Sequence, residues 1–117
     1  MNPELFSELK KIIDSVNSDY VLRKLLPHEP IVVELRTEDN VSKFFEISEN
    51  GVMMLESFSG KPDAIVKGNS RLIIKLLRGE EDPIKSFFLG KVKVEGSLDF
   101  AYIIHERLRE YRRIKKK

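Results

Sequence analysis

The sequence has no cysteine and no tryptophan, and it has only two histidines among its 117 residues. Without cysteine, neither a disulfide framework nor a thiolate metal site can form. The histidines, His28 and His105, are not spaced with other ligand residues as metal sites require. We therefore expect the protein to bind neither a metal nor a cofactor.

Long apolar runs are also missing. None approaches the roughly 20 residues that a membrane-spanning helix needs. The first residues, 1–4, lack the basic and apolar regions of a signal peptide. These absences predict a soluble, cytoplasmic protein. Charged residues make up 34% of the chain, a share that suits a thermophilic protein without establishing one.

Motifs of enzyme active sites are missing as well. The sequence contains no glycine-rich phosphate loop, no nucleophile elbow and no helical metal-binding pattern. Three acidic residues at 80–82 precede a predicted helix, and they are explained more simply as a helix start than as a cation site. We predict that the protein is not an enzyme.

Chain length and hydrophobic periodicity predict one small α+β domain. A chain of 117 residues should bury about two-thirds of its unfolded surface, which is enough for one core. The predicted elements are a helix over 5–16, a short helix over 20–26, strands at 31–35, 44–48, 52–58 and 64–66, helices at 70–77 and from 83, a strand at 92–95 and a final helix.

This order predicts a five-stranded, mostly antiparallel sheet with the helices packed on one face. Asn50-Gly51, between the second and third strands, is the strongest short-range signal for a β-hairpin. We assign residues 1–117 to a single domain. Residues 112–117 form a basic tail, for which we allow disorder.

The most informative stretch of the sequence is 81–96. Asp82 and Pro83 are typical of a helix start, and Gly90 can end that helix in the left-handed conformation. Alternating valines after Gly90 predict the fifth strand. One face of the predicted helix is large and apolar, and it carries Ile84, Phe87 and Phe88.

These residues resemble the sterol carrier protein type two family, the non-specific lipid-transfer domain. Members of this family have a Gly-x-x-x-Pro helix with adjacent bulky residues, which Gly79, Pro83, Phe87 and Phe88 resemble. They then have a strand that starts with Gly-Lys and a closing glycine, which Gly90, Lys91 and Gly96 resemble. The strand start at 62–64 and the helix after Gly68 also resemble the family, so the likeness covers residues 61–101. It implies an apolar tunnel between the sheet and the helices.

The helix at 70–77 and the strand at 52–55 are apolar on more faces than a two-layer domain needs to bury. With the resemblance, this surplus predicts a cavity for a hydrophobic small molecule, a fatty-acyl or other lipid chain. The predicted walls are Leu72, Ile73, Leu76, Leu77, Ile84, Phe87, Phe88 and Ile103, with Met53 and Met54 as flexible additions. Ordinary core packing is the alternative for the phenylalanines and the methionines.

An interaction module without a cavity is the alternative function. In that case the surplus apolar surface would form a homodimer or a partner interface, as exposed apolar patches commonly do. We predict the carrier of a hydrophobic ligand, with this interaction module as its alternative.

Basic residues are concentrated at the end of the chain. Residues 107–117 carry a net charge of +6, whereas residues 1–106 carry −4. Such cations can complement a helix dipole and keep a protein soluble. The functional alternative is transient docking on an anionic membrane surface by Arg112, Arg113, Lys115, Lys116 and Lys117. A nucleic-acid partner is disfavoured, because the run has one aromatic residue, Tyr111, and no binding module precedes it.

Overall fold

The computed structural model describes residues 1–96, together with Asp99, Tyr102, Glu106, Arg109, Glu110, Arg112 and Arg113, which are all helical. The elements within residues 1–96 are α1 (Pro3–Asn17), α2 (Tyr20–Arg23), β1 (Ile31–Arg36), β2 (Ser42–Ser48), β3 (Gly51–Leu55), β4 (Ala64–Lys67), α3 (Ser70–Arg78), α4 (Pro83–Phe88) and β5 (Lys93–Gly96). Among the described residues, none of the helices combines the length and the hydropathy that crossing a membrane requires.

The five strands form one sheet in the order β3-β2-β1-β4-β5. Three of the neighbouring pairs are antiparallel, and β1 and β4 are parallel. The predicted α+β fold with a mostly antiparallel five-stranded sheet is therefore confirmed. β1 is its central strand.

The strand register divides the side chains between two faces of the sheet. One face, which we call the core face, packs against α1 and α3, and its residues include Leu35, Phe45, Met54 and Val66. The opposite face, which we call the outer face, carries the alternating residues, among them Glu34, Phe44 and Ile65. In β1 the side chains therefore alternate between the two faces, with Leu35 on the core face and Glu34 on the outer face.

Residues 56–63 connect β3 with β4 across the outer face. Because β2 and β1 lie between these strands, the connection spans three strand spacings, about 14 Å, and eight extended residues reach about 27 Å. The ring of Phe58 lies 5.7 Å from the ring of Phe44. At the other end, the Asp63 N–H donates to the Val32 carbonyl at 2.8 Å, and its carboxylate accepts from the Val32 N–H at 2.7 Å.

This connection corrects one predicted boundary. The third strand was expected to continue to Phe58, but β3 ends at Leu55. The reason is topological, because the chain must leave the edge of the sheet to reach β4. Phe58 packs against Phe44 instead of extending the strand.

The start and the end of α4 follow the predicted chemistry. The Asp82 carboxylate accepts hydrogen bonds from the N–H groups of Ile84 and Lys85 at 2.9 and 3.2 Å. Gly90 has a φ of +74°, and the Lys91 N–H donates to the Ser86 carbonyl at 2.9 Å. This pair of features is a Schellman ending, in which the left-handed residue closes the last turn.

Asn17, at the end of α1, pairs with the edge strand β3. Its side-chain nitrogen donates to the Val52 carbonyl at 2.9 Å, and its side-chain oxygen accepts from the Val52 N–H at 2.8 Å. The amide therefore occupies the place of a neighbouring strand and covers two backbone groups of the edge. Gly51 permits this approach, since a Cβ there would lie 2.6 Å from the Asn17 oxygen.

We expect Asn17→Ala to lower the free energy of unfolding by about 1 to 2 kcal/mol, because two hydrogen bonds to β3 are lost. Urea denaturation measures this loss. Lys10→Ala is the control, since Lys10 is an exposed residue on the same helix. Equal stability of the two variants would show that Asn17 does not hold the edge.

Glu34 is a buried carboxylate at the centre of the outer face. It accepts hydrogen bonds from Arg36 Nε and Nη2 at 3.0 and 2.6 Å and from Ser42 Oγ at 2.7 Å. Burial acts to raise the pKa of Glu34. The hydrogen bonds from Ser42 and Arg36, with the charge of Arg36, outweigh burial and hold the pKa below its usual value.

Since the pKa of Glu34 is lower in the folded chain than in the unfolded chain, ionised Glu34 stabilises the fold above pH 4.5, the usual pKa of the residue. That stabilisation is lost as the pH falls through the lowered pKa. We expect Glu34→Gln to lose less unfolding free energy on acidification than the native protein does. Urea midpoints measured across the acidic range test this, with exposed Glu56→Gln as the control. An unchanged pH dependence in Glu34→Gln would contradict the assignment.

Candidate functional site

The candidate site is the apolar layer between the core face of the sheet and helices α1 and α3. Its buried members are Leu5, Leu35, Phe45, Leu72, Ile73, Ile74 and Val92. Nine half-buried side chains pack against them: Met1, Leu9, Ile13, Ile47, Val52, Met54, Val66, Leu76 and Leu77. We refer to these sixteen side chains as the apolar layer.

α3 brings four predicted wall residues into this layer. Leu72 and Ile73 are buried, and Leu76 and Leu77 are half-buried. Met54, from β3, packs against the same cluster. The layer therefore assembles half of the predicted set.

Hydrogen bonds at the start of α3 fix how this helix is oriented. The Asn69 side chain accepts from the Leu72 N–H at 2.8 Å. The Glu38 carboxylate accepts from the Ser70 N–H and hydroxyl at 2.9 and 3.0 Å. The Glu38 carboxylate also accepts a hydrogen bond from its own backbone N–H. This bond has the largest effect, the bonds from Ser70 add to it, and together they hold the pKa of Glu38 below its usual value.

α4 turns its predicted apolar face towards solvent. Ser86 is 2% exposed, whereas Ile84, Phe87 and Phe88 are 45%, 37% and 80% exposed. The rings of Phe87 and Phe88 contact each other edge to face, with centroids 5.7 Å apart. These three residues lie outside the apolar layer, so the wall role predicted for them stays a prediction.

Met53 also lies apart from the layer. It is an exposed residue on the outer face, paired with Glu46 across β2 and β3. A depression of about 310 Å³ at this hairpin is lined by Asn17, Glu46, Ser48, Asn50, Gly51, Val52 and Met53. Polar and apolar groups line it about equally, and six of its seven lining residues belong to the β2–β3 hairpin, so we do not equate it with the predicted tunnel between the sheet and the helices.

Four predicted residues lie outside the described part of the chain: Ile103, Lys115, Lys116 and Lys117. Their wall and docking roles stay predictions.

Arg112 makes a contact that the sequence did not predict. Its Nη1 donates to the Leu76 carbonyl at 2.8 Å, and because this carbonyl also accepts from the Gly79 N–H at 3.1 Å, Arg112 adds a second hydrogen bond in the last turn of α3. A Cβ added to Gly79, whose φ is +77°, would lie 3.0 Å from the Cδ of Arg112. Arg113 is exposed and pairs with Glu110. Gly79 was the sequence feature that could have indicated this contact, since a residue without a side chain leaves room for Arg112.

The chain matches the model of the SCP-2 sterol transfer family over residues 9–106. It therefore belongs to this family, and the resemblance stated from residues 61–101 is confirmed. Membership implies lipid binding or transfer as the class of function. Domains of this family are in general non-catalytic lipid carriers.

Solved structures show the same fold at low sequence identity. A UbiJ-SCP2 ubiquinone synthesis protein is 18% identical with a TM-score of 0.67, and the match covers 86% of this chain and 91% of that one. The sterol carrier protein domain 2 of Helicoverpa armigera is 20% identical with a TM-score of 0.67, covering 94% and 91%.

The sec-alkylsulfatase Pisa1 from Pseudomonas sp. contains a similar unit. It is 15% identical with a TM-score of 0.66, and the match covers 92% of this chain but 16% of the enzyme. The fold thus occurs both as nearly a whole chain and as a small part of an enzyme. No curated protein sequence matches this chain at a significant level.

We expect Arg112→Ala to lower the free energy of unfolding by about 1 kcal/mol, because it removes the bond to the Leu76 carbonyl. Arg113→Ala is a matched control that removes the same charge from an exposed ion pair, and it should cost less than about 0.5 kcal/mol. Thermal and urea unfolding of both variants make the comparison. Equal losses would mean that the Leu76 contact does not stabilise the fold.

Proposed function

We propose that the protein binds and carries one hydrophobic ligand, a fatty-acyl or other lipid chain, between the sheet and the helices. It does so without catalysing a reaction on that ligand. The observation that carries the proposal is the apolar layer, in which nine side chains are only half-buried. The chain also belongs to a family of lipid carriers.

An apolar ligand needs no specific polar contact to bind such a layer. Each Å² of apolar surface removed from water contributes about 25 cal/mol, so a long acyl chain gains affinity from area alone. Leu76, Leu77 and Met54 are half-buried and offer that area. Met54 adds adaptability, since an unbranched thioether side chain fills irregular spaces. We expect selectivity for length and bulk rather than for one head group.

We assign the ligand wall to Leu72, Ile73, Leu76 and Leu77, with Met54 opposite them on the sheet. In α4, Phe87 is the least exposed of the three apolar residues, and we place it at the margin of the cavity. The names of related structures refer to sterol carriage and to ubiquinone synthesis, which supports a hydrophobic ligand for this chain.

Native mass spectrometry of protein purified without detergent tests the proposal first. We expect a second species heavier than the polypeptide by the mass of one lipid, which solvent extraction then identifies. Stripped protein should take up a fluorescent fatty acid saturably. A bare mass with no uptake would overturn the carrier function and favour the interaction module.

We expect Phe87→Asp to weaken fatty-acid uptake by about tenfold, because it places a charge at the margin of an apolar cavity. Fluorescence titration of stripped protein measures the effect. Val21→Asp is the matched control, since Val21 is an exposed apolar residue of α2. Uptake by folded Phe87→Asp at the native level would show that Phe87 does not border the site.

A further inference from the structure

The sequence of α4 and the turn after it is unusual for a surface segment. A helix on a protein surface normally buries its large apolar side chains and exposes its polar ones. α4 does the opposite, since Ser86 packs inward while Ile84, Phe87 and Phe88 face outward. Leu89 continues the exposed surface and is 60% exposed. We call residues 84–91 the α4 tip.

Backbone hydrogen bonds hold the α4 tip in this conformation. The Gly90 N–H donates to the Phe87 carbonyl at 3.0 Å, and the Lys91 N–H donates to the Ser86 carbonyl at 2.9 Å. Val92, directly after the tip, is buried in the apolar layer and anchors it to the domain. A Cβ placed on Gly90 would meet none of the described atoms within 4 Å. These bonds close the end of α4, and its apolar side chains are left exposed outside the apolar layer.

Within the segment 83–93 every charged side chain is basic. Residues 83–93 contain three lysines, Lys85, Lys91 and Lys93, and no acidic residue. All three lysines are exposed. Of the acidic residues 80–82, Asp82 lies nearest, about 9 Å from Phe88 along the helix axis, and its carboxylate is engaged as the helix cap. Glu95, on the other side of the segment, is paired with Lys67.

From this combination we infer that the α4 tip is a docking surface for an anionic lipid bilayer. Phe88 and Leu89 would insert at the level of the head groups, and the lysines would contact anionic phosphates around them. Interfacial protein segments use this pairing of apolar and basic side chains. The inference rests on the proposed carrier function, to which it adds the membrane that donates or receives the ligand.

Charge complementarity favours a bilayer over a second copy of the chain. In a two-fold symmetric dimer the same patch lies on both subunits, so the lysines of one tip would face those of the other. Like charges facing each other across an interface are unfavourable. An anionic bilayer neutralises the same lysines.

The location of the tip suits a carrier. Phe87 belongs both to the tip and to the proposed margin of the cavity, so docking would bring the cavity close to the bilayer. The tip is also distinct from Arg112, which is engaged with α3, and from Arg113, which pairs with Glu110.

Because the chain has no tryptophan, Leu89→Trp provides a single fluorescent probe at the tip. We expect a blue shift when this variant meets vesicles of phosphatidylcholine with phosphatidylglycerol, and a much smaller shift with phosphatidylcholine alone. Val21→Trp is the control, because Val21 is 61% exposed on a short helix that also carries basic residues. An unshifted Leu89→Trp spectrum on anionic vesicles would overturn the inference.

Vesicle co-sedimentation of the full chain tests the energetics. We expect Leu89→Asp to bind anionic vesicles about tenfold more weakly and Lys91→Glu about fivefold more weakly, the latter with a smaller salt dependence. Val21→Asp and Lys24→Glu repeat the same changes on α2 and should bind as the native protein does. Equal losses at the two places would refute a specific role for the α4 tip.

Two further measurements separate this inference from its alternatives. If light scattering shows a native dimer that Leu89→Asp converts to a monomer, the tip is an interface between copies and the inference is wrong. Fatty-acid uptake without vesicles should be unchanged in Leu89→Asp, which supports docking as a separate step. If the native protein binds anionic vesicles but takes up no fatty acid, the result would support the docking surface and overturn the carrier function.

Discussion

The fold depends on the burial of β1 on both of its faces. On the core face, Leu35 packs into the apolar layer beneath α3. On the outer face, Glu34 is buried, its charge is paired with Arg36, and it accepts a hydrogen bond from the Ser42 hydroxyl. β1 also pairs antiparallel with β2 and parallel with β4, so the connection at 56–63 has to cross the sheet. A central strand with an apolar face and a charged face therefore determines which side of the sheet the helices occupy.

Beyond β1, apolar side chains remain exposed at several places among the described residues, including Val21, Met53 and Phe88. The edge of β3 is partly occupied by Asn17, and the outer face is held by ion pairs, Lys67 with Glu95 among them. Two places then stand out among the described residues, the half-buried part of the apolar layer and the α4 tip. Their chemistry differs. The layer lies between the sheet and the helices, where we propose the chain-like ligand, whereas the tip is exposed and has three exposed lysines within residues 83–93, where we propose the charged interface.

Much of this architecture could be predicted from the sequence, because the signals are local. Asp82, Pro83 and Gly90 determine the bounds of α4 through hydrogen bonds within a few residues, and Asn50-Gly51 marks the hairpin. What could not be predicted depends on contacts between distant residues. The crossing after Leu55, the burial of Glu34 and the contact of Arg112 with Leu76 each require the assembled sheet. The spacing of Ile84, Phe87 and Phe88 predicts a shared face, but spacing does not say whether that face points inward.

The orientation of α4 is the main reason to propose one surface for ligand binding and another for membrane docking. Burying a large apolar side chain stabilises a fold by about 1.5 to 3 kcal/mol, so a helix selected for stability alone would turn its phenylalanines inward. Here Ser86 takes the inner position, and Phe88 remains 80% exposed. A carrier has a use for such a surface, because its ligand must leave one bilayer without crossing much water. With the cavity margin proposed at Phe87, an exposed apolar surface beside it would shorten that path, and the lysines would keep the contact reversible, since their attraction to anionic lipid is screened by salt.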